Sequence, residues 1–172
     1  MVAYYSRTIV ESVRFRHGDY FFAKEVNMID SFSGEYRFLS NFYPCTIKYE
    51  GLTYPTIEHA YQAAKTTDIA QRKAFALEGR EIGLPTLSAG GAKKLGRKIP
   101  IRADWEEVKL DIMEDILKLK FSQRYFRQLL RDTQDEELVE GNLWHDVYWG
   151  VCNGIGQNQL GQLLMKIRSK LF

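Results

Sequence analysis

The sequence predicts a helix-rich α+β fold with a small antiparallel sheet or hairpins toward its N-terminal part. Three observations carry this expectation. Residues 1–30 concentrate β-branched and aromatic side chains, among them Tyr4, Tyr5, Ile9, Val10, Val13, Phe15 and Tyr20 to Phe22. Residues 46–54 alternate around Glu50-Gly51, as a hairpin does. Beyond residue 55 the apolar positions recur at helical spacing, with no βαβ alternation and no internal repeat.

Taken in order, the N-terminal segment predicts one or two strands, with His17-Gly18-Asp19 as a turn. The hairpin over 46–54 comes next. Pro55 and Thr56 then open a short helix, the proline tolerated in the first turn and the threonine able to cap it. Asp68 to Glu78 reads as a helix closed by Gly79. Ser88 caps a short helix running through Lys93 and Lys94 to Gly96. Asp104, with Glu107 three residues on, reads as a capping box opening the longest helix, whose buried face is Trp105, Val108, Ile112, Ile116 and Leu119. Another helix covers Tyr125 to Arg131 after a break near Ser122, and Leu160, Leu163, Leu164, Ile167 and Leu171 stripe a closing one.

Composition narrows the function classes. A chain of 172 residues, 45% hydrophobic and 27% charged, has the makeup of one globular domain with a core. A net charge of +2 is too small for wrapping a nucleic-acid backbone and suits an anionic small molecule held by a few cations. Arg7, Glu11, Arg14 and Arg16 interrupt the N-terminal apolar residues, and no run approaches the roughly 20 apolar residues of a membrane span. Two distant cysteines, Cys45 and Cys152, make no disulfide framework, so a cytoplasmic location is expected. With His59 and His145 they also lack the close pairs of a structural zinc site, so no metal is expected.

Two stretches carry chemistry. In Glu58-His59-x-x-Gln62-x-x-Lys65, at about 100° per residue, Glu58, Gln62 and Lys65 fall within an arc of roughly 60°. Ala60, Ala63 and Ala64 lie off that stripe and allow close packing. An acid, an amide and an amine thus point one way, although Glu and Lys at helical spacing also describe a solvated face. The second stretch, Leu138-Val139-Glu140-Gly141-Asn142-Leu143-Trp144-His145-Asp146-Val147-Tyr148-Trp149-Gly150, holds two carboxylates, a histidine and two tryptophans around glycines, with little periodicity. Either it serves a site, or the tryptophans plug the core and Asp146 caps a turn. Arg80, Lys93, Lys94, Arg97 and Lys98 form a basic cluster suited to phosphate.

From about Phe32 to Arg168 the chain resembles the NADAR (YbiA-like) N-glycosidase family. The blocks are Phe38-Leu39-Ser40-Asn41-Phe42-Tyr43-Pro44, Glu58-His59-x-x-Gln62-x-x-Lys65, Ala92-Lys93 with Gly96-Arg97, and Arg102-x-Asp104-Trp105 leading to Lys109, Met113, Lys120 and Phe121. Glu140, Asp146-x-x-Trp149-Gly150 and Gly156-x-Asn158-x-Leu160-Gly161-x-x-Leu164-Met165-x-x-Arg168 complete it. The resemblance implies a family core over 31–170, with 1–30 as an N-terminal extension, inside a single domain of 1–172. It implies hydrolysis of the bond between a phosphorylated or ADP-linked ribose and a nitrogenous base, without a cofactor. The substrate is then a ribosylamino-pyrimidine phosphate of riboflavin synthesis or ADP-ribosylated guanine, including guanine in nucleic acid. Between Glu140 and Asp146 the chain departs from the commoner Glu-x-Ser-Pro-x-Asp form by one extra residue.

The expected catalytic groups are Glu58, Lys65, Glu140 and Asp146. Glu58 or Asp146 activates water or stabilises charge, and Glu140 holds ribose hydroxyls. Lys65 acts as a Schiff-base nucleophile or as a fixed cation. The expected substrate contacts are Asn41, Phe42, His59, Gln62, Arg97, Trp149, Gly150 and Asn158, with His59 orienting Glu58 or packing against its helix. Trp105 is assigned to packing. The alternative function is a nucleotide-binding module that recognises ADP-ribose and does no chemistry.

Overall fold

The computed structural model describes residues 9–10 and 25–171. The expected turn at 17–19 and most of the N-terminal apolar residues lie outside the described residues. Within them, β1 (Ile9–Val10) pairs antiparallel with β2 (Glu25–Val26). β3 (Met28–Ile29) follows, then a 3-10 turn over Gly34–Leu39. β4 (Ile47–Tyr49) and β5 (Leu52–Tyr54) form the antiparallel hairpin around Glu50-Gly51 that the alternation predicts.

The helices are α1 (Ile57–Ala63), α2 (Ile69–Lys73), α3 (Ala89–Gly96), α4 (Trp105–Ser122), α5 (Arg124–Asp132) and α6 (Gln159–Lys170). Between them lie β6 (Glu137–Leu138), β7 (Gly141–Asn142) and β8 (Val151–Cys152). The fold is thus the helix-rich α+β class that the periodicity predicts. The pairing differs in one respect: β3–β6 and β7–β8 run parallel. Strands of two residues carry no readable alternation, and their partners lie far along the chain, so local pattern cannot report them.

Local chemistry explains most helix ends. Thr56 caps α1, its hydroxyl accepting from the His59 N–H, so Pro55 stands before the cap and not inside the first turn. Ser88 caps α3 by accepting from the Gly91 N–H. Asp68 caps α2, but that helix ends at Lys73; Gly79 lies within a second 3-10 turn, Leu77–Ile82, which Gly83 closes in the left-handed region. Asp104 precedes α4 without making a side-chain cap, because Arg102 grips its carboxylate through two bonds of 2.6 and 2.7 Å. The capping box is absent there, and the helix starts on backbone bonds alone.

α1 is buried over its whole length and packs against α3 and α4. Ile57, Ala60, Tyr61 and Ala63 fill the core, while Glu58, His59 and Gln62 are drawn in with them. On α4, Ile112, Met113, Ile116, Leu117 and Phe121 are buried, with Val108 and Leu119 packed at the margin. Lys120 is also fully buried, with no carboxylate partner among the described residues. Its Nζ donates to the Ser40 carbonyl at 3.1 Å and lies 5.3 to 5.6 Å from the rings of Phe126, Phe121 and Tyr43. Burial pulls this ammonium down to about 8. The contact ties the segment after the first 3-10 turn to α4, and that segment forms one wall of the site. Among the described residues no helix is long and apolar enough to cross a membrane.

Candidate active site

Glu58 shows how a polar face survives inside the core. Its N–H donates to the Asn41 carbonyl at 3.0 Å, and its Oε1 accepts from Gln62 Nε2 at 2.8 Å. The residue is 5% exposed. Burial raises its pKa, opposed by the Gln62 hydrogen bond and by the charges of Lys93 and Lys65, with Asp146 adding to the rise. The i, i+4 relation of the sequence stripe is therefore a hydrogen bond, and α1 is no solvated face.

The amide of Gln62 lies packed against the backbone of α3 at Gly96, its Oε1 accepting no hydrogen bond among the described residues. A Cβ placed on Gly96 would stand 1.9 Å from Gln62 Oε1 and 3.0 Å from its Cβ. Gly96→Ala is therefore expected to push the amide off Glu58 and lower kcat by roughly ten- to a hundredfold, the range for a hydrogen bond to a charged group. A steady-state assay checks it, with circular dichroism showing the fold kept. Turnover within threefold of wild type would remove Gln62 from the argument.

From the other half of the chain come Glu140 and Asp146. Glu140 follows β6, and its backbone is held on both sides: its N–H donates to Asn158 Oδ1 at 3.0 Å, and its carbonyl accepts from the Val151 N–H at 2.9 Å. Its carboxyl Oε2 is buried without a hydrogen-bond partner. Burial, with the Asp146 charge added, raises this group to about 7 against the opposing pull of Lys93. Asp146 accepts from the Trp149 N–H at 2.9 Å. Its own backbone N–H and carbonyl are both clamped by the side chain of Asn142.

These groups meet in one cavity of about 1150 Å3. Of the sequence-predicted residues, Asn41, Phe42, Glu58, Gln62, Lys65, Arg97, Glu140, Asp146 and Trp149 line it. His59, Gly150 and Asn158 do not line it. His59 is turned into the protein, paired with Thr56 Oγ1 at 2.8 Å and the Leu87 carbonyl at 2.9 Å, and braces the α1 cap. Asn158 spends its amide on Leu138 and Glu140. Gly150 permits close approach, since a Cβ there would stand 2.1 Å from the Glu140 carbonyl oxygen. All three support the Glu140 or Glu58 backbone from outside the cavity. In the basic cluster Lys93 and Arg97 reach the cavity, whereas Arg80, Lys94 and Lys98 do not.

Rings build the remaining wall. Tyr61 stands 5.0 Å from Trp105 and 5.4 Å from Trp149, and Tyr148 stands edge-on to Trp149 at 5.0 Å. Trp105 both packs and lines the cavity, so packing alone understates it. Lys65 Nζ lies 5.8 Å from the Trp105 ring and 6.0 Å from that of Tyr61. Burial depresses its amine; Glu58 opposes this, while Arg97 and Lys93 add to it. The sequence reading missed Tyr61, Tyr148 and Arg37 as lining residues. Tyr61, three residues after Glu58, lay within reach of the helical-spacing argument. Arg37 offers no such signal. Among the described residues no three His, Cys, Asp or Glu side chains are grouped to hold a metal.

Carboxylates drawn out of water beside aromatic rings and cations in one cavity have the makeup of an enzyme's active site. Comparison with known proteins gives that class a family. The family model described as the NADAR domain matches residues 21–172. An N-glycosidase YbiA of Shigella boydii is 40% identical over 143 residues, covering 82% of this chain and 85% of that protein. A riboflavin biosynthesis protein of Vibrio vulnificus is 37% identical over 140 residues, covering 78% of this chain and 35% of its own length. The NMR structure of Escherichia coli YbiA superposes with a TM-score of 0.71 at 37% identity, covering 85% of this chain and 84% of that one. The chain belongs to the NADAR family.

Proposed function

We propose that this chain hydrolyses the bond between a phosphorylated or ADP-linked ribose and a nitrogenous base. The activity class is that of its named relatives: it is an N-glycosidase, a hydrolase of N-glycosyl compounds. The observation that carries the mechanism is the pairing of two carboxyl groups in unlike surroundings. Glu140 is raised to about 7 with a free buried oxygen, whereas Glu58 is held by an amide among cations. Burial raises both carboxyls, and at Glu58 the Gln62 hydrogen bond and the charges of Lys93 and Lys65 oppose the rise, so the acid role is assigned to Glu140 and the carboxylate role to Glu58.

Cleavage sends the C1–N electron pair to the base, whose nitrogen takes the proton of Glu140. The positive charge left on the ribose faces Glu58 and Asp146, and water adds to C1 as one of them accepts its proton. Glu140 thereby moves from the hydroxyl-holding role expected from sequence to proton donor. The ring wall of Tyr61 and Trp149 suits a flat base, and Lys93 and Arg97 suit phosphate. Incubation with a ribosylamino-pyrimidine 5-phosphate, or with ADP-ribosylated guanosine, should release base and sugar phosphate one to one. Binding without release would leave the nucleotide-binding module.

Lys65 supports a second reading. A half-buried amine, depressed by desolvation and by two other cations, is the setting of a Schiff-base nucleophile. In the direct-water route Lys65 is a fixed cation, Lys65→Arg keeps most turnover, and borohydride leaves the enzyme active. Inactivation by borohydride only when substrate is present, with added mass on Lys65, would establish the covalent route instead.

A further inference from the structure

The loop that departs from the family pattern also carries the most exposed apolar side chains at the cavity mouth. Leu143 is 83% and Trp144 62% exposed, and both line the cavity, as does Phe42 at 39%. Isolated exposed apolar residues are ordinary, but an indole held open beside a reacting site is a stacking surface. The loop is built to hold it there. Asn142 Oδ1 accepts from the N–H groups of Trp144 and Asp146 at 3.2 and 3.0 Å, and its Nδ2 donates to the carbonyls of Asp146 and Val151 at 2.8 and 3.2 Å. Asn142 itself is buried, so the backbone that carries the indole is fixed before binding.

Charge and size point the same way. Arg37, Lys93 and Arg97 line the cavity, and none pairs with a carboxylate among the described residues. Lys93 lies on α3 and Arg97 four residues on at its C-cap, while Arg37 comes from the first 3-10 turn, so the positive charge reaches the cavity from two separate segments. The cavity of about 1150 Å3 exceeds the roughly 300–1,000 Å3 of common small-molecule sites.

We propose that Trp144 is a specificity-determining residue. It stacks on a second flat ring joined to the reacting ribose through a diphosphate, so this chain favours nucleoside-diphosphate-linked riboses over plain ribose phosphates. The inference rests on the ribosyl-hydrolase reading above, but its test does not require turnover.

Titration calorimetry with ADP-ribose and with ribose 5-phosphate is the experiment, on wild type, Trp144→Ala and Trp144→Phe. Wild type should bind ADP-ribose at least about tenfold more tightly, in keeping with base stacking on an aromatic side chain. Trp144→Ala should erase that preference while leaving ribose 5-phosphate affinity unchanged, and Trp144→Phe should keep most of it. Equal affinities in wild type, a preference that survives Trp144→Ala, or an equal loss for both ligands would each overturn the proposal. Base release from an N-ribosyl substrate is assayed separately. A Trp144-dependent preference without any release would sink the hydrolase reading and leave the platform standing.

Discussion

Glu58→Gln is expected to lower kcat by about a thousandfold at pH 7, with KM changed by only a few-fold. The substitution is isosteric, and the site that receives it is closed: Glu58 is 5% exposed, with Gln62 Nε2 at 2.8 Å. An amide there presents no negative charge to the ribose as its C–N bond lengthens. The loss therefore falls on the transition state rather than on ground-state binding. Base release at saturating substrate measures it, with thermal unfolding as the control for folding. Activity within tenfold of wild type would move the charge-stabilising role to Asp146 alone.

Glu140→Gln should produce opposite effects on activity and on stability. As the proton donor, Glu140 works while protonated, so wild-type kcat/KM should decline above about pH 7, where the carboxyl ionises. The variant should lose about a hundredfold or more at pH 6 and lack that decline, because an amide does not titrate. Stability runs the other way. The folded-state value is raised from 4.5 to about 7, so the folded form binds the proton more tightly than the unfolded one. The stability this group contributes is complete below about pH 4.5 and is lost as pH rises through about 7. Removing the carboxylate should stabilise the chain at pH 8 by up to about 3 kcal/mol, with the advantage vanishing below about pH 5. Urea unfolding at pH 5 and pH 8 reads the difference directly. A variant no more stable than wild type at pH 8 would mean that Glu140 is better solvated than its surroundings indicate.

Such a gain fits a site in which function strains the fold. Two carboxyl groups raised by burial, a buried oxygen without a partner and an amine depressed by burial and by neighbouring cations all work against stability. The scaffold holds them through contacts with the backbone and side chains that carry these groups: Asn158 and Gly150 behind Glu140, Asn142 behind Asp146, and Gly96 behind Gln62. Changes at those positions should reach kcat through geometry.

What could be read from the sequence was local. The hairpin follows from alternation around Glu50-Gly51, the start of α3 from Ser88, and α6 from its leucine stripe. The shared face of Glu58, Gln62 and Lys65 follows from helical pitch, because φ/ψ preferences and i, i+4 spacing act within a few residues. Pairing across the chain was decided by the tertiary structure alone. It set β6 parallel to β3 and brought Glu140 and Asp146 to the helix of Glu58 across some eighty residues. It turned His59, Gly150 and Asn158 into supports and gave Trp105 a face on the cavity. Residue type and spacing record what a side chain can do. Which groups share one low-dielectric space, and how far burial moves their protons, depends on contacts between segments that no local pattern encodes.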